Sequence, residues 1–222
     1  MSKSTTNNFL IIFAVLIIVL LGYYVFGTES TSKNEPVEVT VSLNDHIRAN
    51  KDATVTLVEF GDFQCPACAA YEGIVQKVVA DNAQDVRFVF RHFPLTAIHQ
   101  NALLASTYAE AAAIQGKFWE MHDVLYDKQQ DWSASLGAKA LFEGYAKTLG
   151  LDVVKLSSDA MSKEVESKIL AQYKEGVRLG VQGTPSFFIN GQKLESNPRS
   201  VEEFTKLIKE AKTSASKASS AN

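Results

Sequence analysis

The chain has 222 residues, 46% of them hydrophobic and 21% charged, with a formal net charge of −3. Twelve glycines and five prolines exclude a collagen-like or low-complexity polymer, and the slight acidity excludes a protein that grips nucleic acid through a basic footprint. Two cysteines are too few for a disulfide-stapled scaffold.

Residues 1–8 are polar, and Lys3 is the only charged side chain before residue 28. Phe9 to Phe26 (FLIIFAVLIIVLLGYYVF) then carries apolar residues at 17 of 18 positions, with Gly22 the one interruption. As a helix this run spans about 27 Å, close to the hydrocarbon thickness of a bilayer. Tyr23 and Tyr24 suit the membrane interface. The run predicts a signal-anchor: one transmembrane helix at 9–26, with residues 1–8 in the cytoplasm. A cleaved signal peptide is the alternative. Against it, the run outlasts an ordinary signal core and no A-x-A pattern follows. Under both readings the remainder is exported, to the periplasm or cell exterior. Residues 27–36 (GTESTSKNEP) are polar and aperiodic, and read as a linker.

Val37–Val41 alternates as a short strand, and Thr54–Phe60 and Val86–Phe90 are β-branched runs that predict two more. Between the latter two, Tyr71, Ile74, Val75, Val78 and Val79 recur at helical spacing over 66–82, which makes a βαβ unit. Residues 96–180 show no convincing strand and divide into four helices, punctuated by Gly116, the 131–137 segment and Gly150. Ser186–Asn190 predicts a strand, Asn190–Gly191 a hairpin turn, and Gln192–Leu194 the return strand. Val201, Phe204, Leu207 and Ile208 share one face of a last helix, and the Ser/Ala-rich 213–222 reads as a disordered tail. The pattern is α/β: one domain over 37–212, whose small mixed sheet is interrupted by a helical insertion at about 96–180.

Both cysteines fall in Cys65-Pro66-Ala67-Cys68, directly after the central strand and at the start of a helix. Pro66 suits the first helical position, where its missing N–H would have had no intrahelical partner. The free N–H groups there and the helix dipole favour a thiolate on Cys65. Cys68, one turn further on, can close a disulfide with it and is expected to be more buried and less acidic. A zinc site would require His92 and His99, whose spacing from the cysteines falls outside finger patterns. A structural disulfide across two residues would constrain little chain. A redox-active pair is the reading that uses the position.

Glu59-Phe60-Gly61-Asp62-Phe63-Gln64-Cys65-Pro66-Ala67-Cys68 resembles the active-site segment of the DsbA-like thiol:disulfide oxidoreductases of the thioredoxin superfamily, nearest in pattern to the membrane-anchored BdbD-type members. Phe118-Trp119-Glu120-Met121-His122 continues the resemblance, as does the 179–191 segment with Gly183-Thr184-Pro185 before a strand. It covers about residues 37–212 and implies a thioredoxin-like fold with an inserted helical subdomain, preceded by the transmembrane helix. It implies Cys65 as the exposed nucleophile and Cys68 as its resolving partner, joined in a redox-active disulfide. Pro185 matches the cis-proline facing that disulfide, and Thr184 the residue whose backbone pairs with extended substrate. Pro66 and Ala67 complete the implied substrate-facing surface. Glu59 matches the buried acid that exchanges protons with Cys68. A carboxyl group within an apolar strand is itself expected to hold its proton more tightly.

One departure stands out: strongly oxidising relatives often carry a histidine inside the motif, where this chain has Ala67. The resemblance implies no cofactor and no metal. Its implied partners are cysteine-containing exported proteins and a quinone-linked membrane redox protein, with no nucleic acid. The expected activity is a protein-disulfide oxidoreductase introducing disulfides. The alternatives are an extracytoplasmic reductase or isomerase and, of another class, a non-catalytic peptide-binding module or chaperone. Phe118, Trp119, Tyr126 and Trp132 read as core or groove lining, His92 and His99 as loop or surface histidines, and the KEVESK run from Lys163 as a solvated helix face.

Overall fold

The computed structural model describes residues 39–42 and 44–220, together with Leu16 and Ile17. The expected anchor at 9–26, apart from those two residues, and its flanks at 1–8 and 27–36 lie outside the described residues. Among the described residues, no helix is long and apolar enough to cross a membrane.

Five strands make one sheet: β1 His46–Ala49, β2 Val55–Gly61, β3 Val86–His92, β4 Ser186–Ile189 and β5 Gln192–Lys193. Their order is β1-β3-β2-β4-β5, with β2 and β3 parallel and every other pairing antiparallel. Helix α1, Pro66–Asp81, is the crossover between β2 and β3. Six helices follow β3: α2 Ala102–Ile114, α3 Phe118–Asp127, α4 Gln129–Trp132, α5 Ala138–Thr148, α6 Val153–Asp159 and α7 Lys163–Arg178. Helix α8, Val201–Ser220, closes the fold after the β4–β5 hairpin. Asn190 and Gly191 at that turn have φ of 46° and 82°, the left-handed pair that a two-residue hairpin requires.

Central strand β2 is buried at all seven positions, so both sheet faces are covered. Val55 and Leu57 join a core with Val75 and Val78 of α1, whereas Val58 and Phe60 join a second core with Val89 and Phe188. Side chains alternate along a strand, so Glu59 points with Val55 and Leu57 to the α1 side. Gly61 ends the strand, and a Cβ there would run into the Phe90 ring.

The expected strand at 37–41 is absent over the described residues 39–42, and the sheet edge is β1 instead. The Thr40 carbonyl accepts the Arg91 guanidinium at 2.7 Å and Val39 packs into the second core, so local alternation lost to tertiary contacts. The insertion has six helices where four were expected. Helix α4 has four residues, too few to show a period, and α6 and α7 are split by the cap of Ser162, whose hydroxyl accepts Val165 N–H at 3.2 Å. The tail is helical to Ser220 rather than disordered. Its alanines and lysines favour helix, and Thr213, Ser214 and Ser216 return their hydroxyls to carbonyls four residues back.

His92 is a core residue rather than a loop or surface one, with no exposure at the end of β3. Its Nε2 lies 2.9 Å from Oε1 of Glu110 on α2, which also meets His46 of β1 at 2.9 Å and, through Oε2, Lys168 of α7 at 2.8 Å. One carboxylate thus ties two strands to two helices of the insertion. Against the opposing effect of burial, the two histidines hold Glu110 far below the ordinary carboxylate range. Its contribution is therefore present above the unfolded value of about 4.3 and lost as pH falls below it. Glu110→Ala is expected to destabilise the protein by about 3–5 kcal/mol at neutral pH, because it strands buried charge. The gap should close on acidification, as read by denaturant unfolding at a series of pH values.

Candidate active site

Cys65 is the N-cap of α1, with φ −70° and ψ 121°, and Pro66 takes the first helical position. Pro66 and Ala67 are exposed, whereas Cys65, expected as the exposed nucleophile, is buried beneath them at 7% exposure against 1% for Cys68. Both are free thiols in this structure. The loop that delivers them is held by Asp62, itself fully buried. Its carboxylate accepts Gln64 N–H at 2.7 Å and Leu95 N–H at 2.9 Å and meets His99 Nδ1 at 2.7 Å, while its carbonyl accepts Cys65 N–H at 3.0 Å. His99 is a loop residue, as expected, and a partly buried partner of the active-site loop.

The two thiols are driven apart. Cys65 is lowered to about 5, foremost by a hydrogen bond from the Cys68 thiol. Thr184 and the backbone N–H groups of Cys68 and Ala67 add to this, against the opposing effect of burial. Cys68 is pushed well above the ordinary thiol range, first by burial, then by its bond to Cys65 and by the nearby Glu59. Such a pair has one good nucleophile and leaving group, Cys65, and one thiol that keeps its proton at neutral pH.

Thr184 and Pro185 meet the pair across the sheet. Their peptide bond is cis. The Cys65 thiol donates to the Thr184 carbonyl oxygen at 3.4 Å, and the buried Thr184 hydroxyl has no hydrogen-bond partner. Pairing of β2 with β4 stops at Ser186, so the Thr184 backbone is not taken up by the ladder.

Glu59 is 2% exposed, with Oε2 lacking a hydrogen-bond partner. Burial, then the charges of Glu72 and Cys65, hold its pKa well above the usual range. Glu59 therefore holds its proton more tightly than an ordinary carboxylic acid, close enough to Cys68 to raise that thiol as well. Phe63 and Phe90, stacked 5.1 Å apart, and the buried Tyr126, 5.0 Å from Phe63, wall the site from water. Among the described residues one acid–histidine group is close enough to chelate, Glu72, His122 and Asp123. Arg48 already occupies both oxygens of Asp123, at 2.7 and 2.8 Å.

Gln129 of α4 was not foreseen. Its amide donates to the carbonyls of Phe63 at 2.8 Å and Cys65 at 2.9 Å. No local pattern in DKQQDW marks it, because the contact spans 64 residues of chain.

A family model described as thioredoxin matches residues 42–210. The chain belongs to the thioredoxin family. Its structure is similar to that of oxidised BdbD from Bacillus subtilis, with a TM-score of 0.69 at 24% identity, covering 81% of this chain and all of that one. It is also similar to a thioredoxin-like oxidoreductase from Silicibacter pomeroyi, with a TM-score of 0.64 at 28% identity over 79% and 94% of the two chains. A third likeness is alpha-DsbA1 from Wolbachia pipientis, with a TM-score of 0.68 at 19% identity over 80% and 95%. The expected thioredoxin-like fold with a helical insertion holds, and the likeness to the DsbA and BdbD structures is one of fold. Curated relatives named Na(+)/H(+) antiporter NhaA match too, at 37% identity over 77% of this chain for the Salinispora tropica protein and 40% over 67% for the Salinispora arenicola one. The chain spans only about a quarter of the length of these relatives.

Reduced protein is expected to show a thiolate absorbance that titrates near pH 5, and Cys65→Ser should remove it, whereas Cys68→Ala should move it upward by removing a donor. Glu59 is destabilising when charged, and its cost grows as pH rises from the unfolded value of about 4.3 toward the elevated folded one. Glu59→Leu should therefore stabilise the fold at neutral pH by about 1–4 kcal/mol, as seen in thermal melts, while slowing thiol exchange.

Proposed function

We propose that the protein is a membrane-anchored, extracytoplasmic thiol:disulfide oxidoreductase that introduces disulfides into exported proteins. The observation that carries this reading is the opposed thiol pair: Cys65 lowered to about 5 beside a Cys68 held protonated in the core. A low Cys65 pKa stabilises the dithiol form relative to the disulfide, which makes the disulfide an oxidant. The anchoring and the exported location rest on the apolar run from Phe9 to Phe26.

The reaction begins with the Cys65–Cys68 disulfide. A substrate thiolate attacks Cys65 Sγ, the S–S bond breaks, and Cys68 leaves with the electron pair and takes a proton from Glu59. A second substrate thiolate then attacks the substrate sulfur of the mixed disulfide, and Cys65 leaves as its stable thiolate. Substrate gains a disulfide, the protein gains two electrons, and Glu59 is reprotonated when Cys68 is next deprotonated. Return to the disulfide needs an electron acceptor, for which a quinone-linked membrane protein is the partner the resemblance implies. The exposed Pro66 and Ala67, with Thr184 and Pro185 opposite, are the surface on which substrate would lie.

Purified protein is expected to oxidise a reduced, unfolded test protein, and Cys65→Ser should abolish this, detected by thiol trapping and gel shift. In intact cells, trapping should find the pair oxidised at steady state. A reduced pair would instead assign a reductase or isomerase, a pair unresponsive to added reductant would assign a non-catalytic peptide-binding module, and full activity in Cys65→Ser would overturn the oxidase reading.

A further inference from the structure

We propose that Gln129 is a positioning residue for the Cys65 thiolate, acting from the helical insertion on the backbone that carries the sulfur; this deepens the thiol-exchange reading above. Gln129 opens α4 and is 7% exposed. Its one amide nitrogen reaches two carbonyl oxygens, of Phe63 at 2.8 Å and Cys65 at 2.9 Å. These carbonyls belong to the peptide planes on either side of the Gln64–Cys65 pair. Fixing both planes fixes the backbone angles between them.

The Cys65–Pro66 plane matters most. Its rotation changes ψ of Cys65, which stands at 121° as the helix cap, and so changes where the sulfur lies relative to the N–H groups of Ala67 and Cys68. Those groups supply part of the thiolate's stability. The helix's own hold on this carbonyl, from Ala69 N–H, is long at 3.2 Å. A hydrogen bond from Gln129 also draws negative charge away from a carbonyl oxygen close to the thiolate.

Gln129 is itself held in place. Gln64 donates to the Ser133 carbonyl at 2.7 Å and accepts Asn101 N–H at 2.6 Å, and the Asn101 amide donates to the carbonyls of Trp132 and Ser135 at 3.1 and 2.9 Å. Fully buried Trp132 donates to the Leu125 carbonyl at 2.8 Å. Helix α4 is thus laced to the active-site loop by a bracket in which Gln129 alone touches the Cys65 peptide.

The test is a pH titration of the Cys65 thiolate by ultraviolet absorbance in the reduced full chain, for wild type, Gln129→Met, Gln129→Glu and Asn101→Ala. Gln129→Met keeps length without a donor, and should raise the midpoint from about 5 by roughly one unit, a tenfold loss of thiolate at a given pH below it. The exchange equilibrium with glutathione should shift about tenfold toward the disulfide form. Asn101→Ala cuts the same bracket away from Cys65, and should lower Tm while leaving the titration unmoved. If Gln129→Met does not fold, Gln129→Glu decides, since it keeps the shape and sets a carboxylate against two carbonyls; it too should raise the midpoint. A lowered Tm with an unmoved midpoint in the Gln129 variants, or an equal shift in Asn101→Ala, overturns the proposal. Failure of wild type to oxidise protein substrates would instead count against the thiol-exchange reading, because the titration does not depend on it.

Discussion

The N-terminus of α1 gathers unsatisfied N–H groups at one point, and Cys65 is the side chain placed against them. Pro66 contributes no N–H, so the groups of Ala67 and Cys68 are the first available to the sulfur. The Cys68 thiol then adds a donor from within the helix. Two identical side chains three residues apart acquire opposite tendencies because one accepts hydrogen bonds at the rim and the other donates from the core. This division gives the pair its direction of attack and departure.

That arrangement asks the core to tolerate polar groups it would otherwise exclude. Glu59 has an unpartnered oxygen, the Tyr126 hydroxyl has no partner, and Cys68 is almost sealed. The aromatic wall of Phe63, Phe90 and Tyr126 keeps water out, and the same dryness that destabilises a charged Glu59 raises its hold on a proton. Elsewhere buried charges meet groups of opposite sign. Glu110 with His46, His92 and Lys168, and Arg91 with Asp45 and Glu175, fasten the sheet to the insertion and so fix the ends of the strands that carry the site.

Much of this is legible in the chain. Strands at 54–60 and 86–90, the helix after Pro66 and the Asn190–Gly191 turn are set by β-branched runs, by proline and by a dipeptide that tolerates positive φ. What escaped depends on distant partners. Val39–Val41 alternates like a strand, yet Arg91 takes the carbonyl that a ladder would need. His92 looks like a loop residue because its carboxylate lies 18 residues on, and Gln129 looks like nothing because its acceptors lie 64 and 66 residues back. Helix α2 is apolar on its exposed side too, at Leu103 and Ile114, so it shows no amphipathic stripe to set its bounds.

The sequence by itself determined the site's chemistry: two cysteines, one turn apart at a helix start, with an acid six residues before on the central strand. Spacing suffices there, because helix and strand geometry are local and fix which atoms share an end or a face. Only the tertiary structure decided how far each group is shifted and what holds it. Burial of Glu59 and Cys68, the Thr184 contact with the sulfur and the Gln129 bonds to the Cys65 peptide all arise when remote segments exclude water together. Desolvation is a property of the packed assembly, and no window of sequence contains it.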